Sequence, residues 1–427
     1  MKKILKWLGI AVLTPILLFI ILAALIYLPP VQNWAVKKVA AIASEKTGME
    51  ITIERVCLEF PLDLGIEGFR ALHQNDSISN QQDTIADVRK MVCDVRLLPL
   101  LQKRVVIDEL SLTQAKINTN GFIGDLRIKG ELQQLWLQSK GIDLDKETVE
   151  VNGARLEQAQ LDIALSDTAA TDTTESTAKW IINADSVSIL KTALMVHLPG
   201  DTLNAQAYMG RAVARTVLAD IGNNIYKVGS LDWAGGTLQY DNRFEPQVDG
   251  LDYNHLALSD INLKVDSIEY IEPNTSFIIK DLQLKEKSGL EVNHLSAKVT
   301  MDDKRITIPQ LRLKTPDTDI ETELAMDFNT FDDVQPGAMK VRLNAQIGKQ
   351  DLMKFMGDMP KEFVRNYPNH PISIKGSVNG NMQDMSFTGL DINLPSAFRM
   401  SASGTAQNVT DLPRMKADVN LVRVQRT

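Results

Sequence analysis

One arrangement of apolar and polar positions recurs along most of this chain. With h for an apolar residue it reads hxhxxhxh. It occurs as Ile51, Ile53, Val56, Leu58, as Val105, Ile107, Leu110, Leu112, and as Val149, Val151, Ala154, Leu156. It returns at Ile182, Ala184, Val187, Ile189, at Tyr226, Val228, Leu231, Trp233, and at Leu256, Leu258, Ile261, Leu263. The remaining copies are Phe277, Ile279, Leu282, Leu284; Leu290, Val292, Leu295, Ala297; Ile306, Ile308, Leu311, Leu313; and Met385, Phe387, Leu390, Ile392. A regular strand has a side-chain period of two and cannot keep i, i+2, i+5 and i+7 on one face. An extra residue at the xx pair, as in a bulge, restores the face and bends the strand. Each copy therefore predicts a strand that turns a corner with one apolar side inward. Stacked copies predict a mainly β fold, an elongated, curved, groove-like antiparallel sheet with a few short helices. An ordinary sandwich with chance alternation is the other reading. Ile261, Leu263 and Val265 alternate with Asn262, Lys264 and Asp266, as one wet face requires.

Several stretches break the pattern. Leu8 to Leu28 carries no charge, and about 20 apolar residues cross a bilayer core as a helix. Lys2, Lys3 and Lys6 precede it, Pro29 and Pro30 follow it, and Trp7 and Tyr27 stand at its edges as interface anchors. Its length and the lack of a small-x-small cleavage site favour an uncleaved anchor over a signal peptide. The lysines then keep residues 1–7 in the cytoplasm and put the bulk outside, in the periplasm of a Gram-negative cell. Residues 31–47 space Val31, Trp34, Ala35, Val39 and Ile42 as one helical face, a juxtamembrane helix within 29–50 ended by Gly48. Leu97-Leu98-Pro99-Leu100-Leu101 reads as a plug for the end of the sheet or a segment dipping into a membrane surface. Residues 166–179 are small, polar and of low complexity, a predicted disordered loop. Lys349 to Arg365 puts Leu352, Phe355, Met356 and Phe363 on a helix face broken at Pro360, for core packing or as a lid.

Charge narrows the partners. The chain has 46 basic and 54 acidic residues, a net −8, and beyond the three N-terminal lysines the balance is −11. An acidic exported part argues against nucleic acid and against broad contact with anionic headgroups. Two cysteines, Cys57 and Cys93, make no disulfide scaffold; two buried thiols are the expectation, a pair in an oxidising compartment the alternative.

Local catalytic chemistry is sparse. The histidines, His73, His197, His255, His294 and His370, show no metal-ligand spacing, and no nucleophile elbow, P-loop or dinucleotide fingerprint occurs. Asp143, Asp145, Glu147 and Asp317, Asp319, Glu321 lack the glycine and distal glutamate of a calcium loop and read as solvated turns. Asp302-Asp303 reads as a hairpin turn. No enzyme, cofactor or metal is expected.

The order of features resembles the AsmA-like superfamily, and within it the N-terminal part of the TamB-type translocation and assembly module subunits. The resemblance rests on the basic start and membrane helix, Pro-Pro-Val-Gln-Asn-Trp at 29–34, Glu-Lys-Thr-Gly-Met at 45–49 and the strand at Ile51. Phe60-Pro61-Leu62-Asp63-Leu64, the Leu97–Leu101 run, Lys314-Thr315-Pro316-Asp317 and Ile347-Gly348-Lys349-Gln350-Asp351-Leu352 extend it along the chain. It implies a single-pass inner-membrane protein whose periplasmic β-groove, residues 51–427, moves phospholipid toward the outer membrane. The alternative is a scaffold for outer-membrane protein assembly with a barrel partner. Such chains are usually longer, so a C-terminally truncated form is expected. The candidate groove lining is Val228, Trp233, Leu258, Leu263, Ile279, Leu284, Ile308 and Leu313.

Overall fold

A computed structural model of the chain describes residues 40–41, 44, 49–59, 63–74, 82–95, 107–119, 126–143, 147–165, 180–197, 203–332, 334–357 and 360–426. Residues 8–28 with Trp7 and Tyr27, the 97–101 run and the 166–179 loop lie outside them. Among the described residues no helix is long and apolar enough to cross a membrane. Ala40, Ala41 and Ser44 are helical, and Ser44 Oγ accepts the Ile51 N–H at 3.0 Å.

Twenty antiparallel strands are described, and the chain divides into two compact units. The first comprises residues 1–142 and 155–169. It contains β1 (Glu50–Thr52), β2 (Arg55–Glu59), β3 (Asp63–Gln74), β4 (Gln82–Val95), β5 (Ile107–Asn118) and most of β6 (Leu126–Asp143). Strand β7 (Thr148–Leu165) is divided between the units. β1 and β2 both pair with β3, and the chain then meanders. Val88, Ala115 and Leu132 are direct cross-strand partners and, with Ala159, form the buried cluster. Phe69, Met91, Leu112 and Leu135 pack around it.

The second unit comprises residues 143–154 and 170–427. Its strands are β8 (Ile181–His197), β9 (Leu203–Asp220), β10 (Ile225–Asn242), β11 (His255–Ile271), β12 (Asn274–Glu286), β13 (Glu291–Met301) and β14 (Arg305–Lys314). They continue as β15 (Asp319–Asp327), β16 (Met339–Ile347), β17 (Ile372–Gly380), β18 (Asp384–Leu394), β19 (Phe398–Gln407) and β20 (Lys416–Arg426). Each of these pairs with its neighbour in sequence. Two short helices, α1 (Lys349–Met356) and α2 (Lys361–Asn366), fill the connection from β16 to β17.

Several irregularities of the ladder fall at the xx pairs, whereas those at Ala71–Leu72, Ala234–Gly236, Asp266–Glu269 and Ser401–Ala402 do not. The β11–β12 register shifts between Ser259 and Asn262, and Asp260 has φ +53°. The β12–β13 register shifts between Ile279 and Leu282, the β14–β15 register between Ile308 and Leu311, and the β18–β19 register between Phe387 and Leu390, where Gly389 has φ +59°. Asp302 closes the β13–β14 hairpin, its Oδ1 accepting the N–H groups of Lys304 and Arg305 at 2.8 Å each.

Candidate apolar ligand face

Direct cross-strand partners share a face of a sheet, so the register lists the face row by row. One row begins Ile189, Ala212, Trp233, Leu263, Leu282, Leu295, Leu313 and Ile320. It runs on through Ala345, Ile374, Ile392 and Met400 to Val424. Every member is apolar, from β8 to β20. A parallel row holds Val187, Ala214, Leu231, Val265, Ile279, Ala297 and Leu311. A third runs Ile308, Leu324, Val341, Val378, Phe387.

The eight predicted lining residues all lie on strands of this unit. Trp233, Leu263 and Leu313 share the first row, Ile279 stands in the second and Ile308 in the third. Val228 pairs with Val217 and Ile268, Leu258 with Leu238, and Leu284 with Val292. Ile308 is buried, and the other seven are half-buried. Among the described residues the main contacts of each strand are with its sheet neighbours. Ala212, Val265, Ala297, Ile308 and Ala345 of the rows are buried, and the half-buried members keep part of their apolar surface in contact with solvent. Trp233 lies against Gly236, where a Cβ would fall inside the indole, and its Nε1–H has no partner.

The opposite face is charged. Lys227–Glu269, Arg312–Glu321, Lys314–Asp319 and Arg342–Glu323 bridge neighbouring strands at 3.5, 3.3, 3.2 and 2.9 Å. Asp317, Asp319 and Glu321 thus do not converge: Asp317 Oδ2 accepts the Gln350 N–H at 2.9 Å, and the other two engage Lys314 and Arg312. Such exposed pairs contribute little stability each, but they fix which face stays wet.

Helix α1 is held by its polar side. Asp351 is 2% exposed, accepts the Thr315 hydroxyl and lies 3.4 Å from Lys354 Nζ. Lys354 Nζ donates to the Gly289 carbonyl at 2.7 Å, and the Lys354 carbonyl accepts the Leu251 N–H at 2.9 Å. Phe355, Met356 and Phe363 remain exposed. Core packing is thus corrected for these three, while Leu352 is half-buried: Thr315 and Gly289 offer a hydroxyl and a carbonyl at the strand ends, the Asp351 carboxylate and the Lys354 ammonium answer them, and Thr318 Oγ1 accepts the Gly348 N–H at 3.2 Å. Beside this helix, burial by itself raises the Asp252 carboxyl. The N–H groups of Val248 and Asn254, with His255, outweigh that and leave it below the ordinary carboxylate range.

Cys93 is a free, buried thiol, pushed up to about 11 by desolvation; the Cys57 side chain lies outside the described ones. Sequence reading missed the β9 members of the face. Ala212, Ala214, Val217 and Ala219 carry the same hxhxxhxh spacing, with Thr216 of its xx pair at φ +55°, but alanine gives a weak apolar signal.

These features define a β-sheet protein with one charged and one apolar face. No family model matches the chain, and no curated protein matches it.

Proposed function

We propose that this chain is a member of the AsmA-like superfamily of TamB type, anchored in the inner membrane with its bulk in the periplasm, and that its apolar face carries phospholipid acyl chains toward the outer membrane. The supporting observation is the unbroken cross-strand row from Ile189 to Val424. Each CH2 of an acyl chain kept from water is worth about 0.8 kcal/mol, so two long chains do not cross an aqueous space unaided. An apolar strip one strand wide after another removes that cost stepwise, with the headgroup left in solvent. No bond is made or broken. The work is solvation, and the strip itself sets no direction.

The test is in-cell photocrosslinking. Photoreactive residues replacing Leu263 and Leu284 in the full chain should capture phospholipid, and one replacing Lys264 on the wet face should not. Empty crosslinks at both apolar positions, with barrel-assembly proteins recovered instead, would replace lipid carriage with an assembly-scaffold role.

A further inference from the structure

The bulges in β12 and β13 do a second thing on the charged face. They bring together Asp281, His294 and Ser296. His294 Nδ1 is 2.6 Å from Asp281 Oδ1, and His294 Nε2 is 3.1 Å from Ser296 Oγ. With an ionised carboxylate the Nδ1 position carries the proton, which leaves Nε2 as acceptor for the serine hydroxyl. The arrangement is that of an oriented base on a nucleophile. Asp281 and His294 are the second residues of two xx pairs, and the β12–β13 register shifts on either side of Leu282. An extra residue in a strand re-aims its side chain, and no sequence spacing announces the meeting. Both partners of the hydrogen bond to His294 are reachable: the His294 and Asp281 side chains are 37% and 31% exposed.

We propose that Ser296 is an activated nucleophile that accepts an acyl group from activated carboxylic esters. Its Oγ bonds to the acyl carbon while its proton passes to His294 Nε2. The adduct then expels the alcohol as the ester C–O bond breaks, and the imidazolium returns that proton to the departing oxygen. The products are an O-acyl serine and the free alcohol; nothing is oxidised or reduced. Arg312, bridged to Glu321 at 3.3 Å, is the direct cross-strand partner of Ser296. No backbone oxyanion pocket is implied, so the chemistry expected is single acylation, not rapid turnover. This inference is independent of lipid carriage.

The full chain treated with p-nitrophenyl acetate, and separately with a fluorophosphonate probe, tests it. Site occupancy is followed by peptide mass spectrometry, with the exposed Ser267 as internal reference. General-base assistance of this kind contributes on the order of 100-fold, and Ser296 should be modified faster than Ser267 by about that factor. His294→Gln should bring it down to the Ser267 rate. Equal rates at the two serines of the unmodified protein, a comparison that needs no variant to fold, would overturn the proposal, as would an undiminished rate in His294→Gln.

Discussion

Single side chains in this protein have recognisable assignments. The Trp233 indole occupies the space a Cβ on Gly236 would need. Gly236→Val therefore displaces the ring from its place in the first apolar row. Overpacking of this kind costs roughly 1–3 kcal/mol, and a lowered denaturant midpoint with altered tryptophan fluorescence is the expected readout. An unchanged fluorescence spectrum would show that the ring is not held there. Of the corner residues at φ +52° to +55°, Thr216 and Ser267 fall outside the copies read from the sequence, and Asp260 was legible only as part of a gap of two between apolar positions. Their left-handed backbone was not, because nothing about Asp, Thr or Ser requires it; an L-residue there costs about 1–2 kcal/mol. The Asp281–His294–Ser296 meeting was illegible for a related reason. It depends on the register between two strands, and register is a property of the pair.

At the scale of elements the spacing of apolar residues carried most of the information. Corners at Ser259–Asp260, Lys280–Asp281, Pro309–Gln310 and Thr388–Gly389 are legible in the spacing alone, because burial of one face forces the stagger. Strands without a corner, such as β15 and β16, show plain alternation and no register shift between them. Helix α1 was legible as a helix but not in its orientation. Its apolar residues suggested core packing or a lid, yet the buried position belongs to Asp351, held through Thr315 and Lys354. Asp351→Ala leaves the buried Thr315 hydroxyl short of its acceptor, a loss of about 1–3 kcal/mol. Hydrogen exchange across 349–366 should quicken while β11 to β15 keep their protection. Equal protection of the helix in the variant would mean that its anchorage lies elsewhere.

For the whole molecule the acidic balance becomes a dependence on pH. The N–H groups of Lys304 and Arg305 hold Asp302 low. The Arg305 side chain holds Asp327 low, and Ser401 with Arg399 holds Asp391 low. Each therefore has a folded pKa beneath its unfolded one, which for Asp is about 3.9. Their contribution is complete above that value and is lost as the pH falls through the folded pKa values. Urea unfolding should give one midpoint at pH 7 and 5.5 and a lower one at pH 3. Because Asp302 is exposed and Asp327 and Asp391 are only half-buried, each loss is small and the fall is gradual. A midpoint that rises on acidification would mean that repulsion among the excess carboxylates outweighs these contacts.

The strands from β9 to β19 each draw their main contacts from the two beside them. Energetically such a sheet is a one-dimensional array of nearest-neighbour terms, with no central core through which a local defect is felt everywhere. A hairpin is then the natural unit of change. Two antiparallel strands added or removed together return the chain to the same edge, facing the same way, with the apolar rows still in line. The length of the strip is thereby free to vary while its cross-section stays fixed, as in a ruler lengthened by whole divisions.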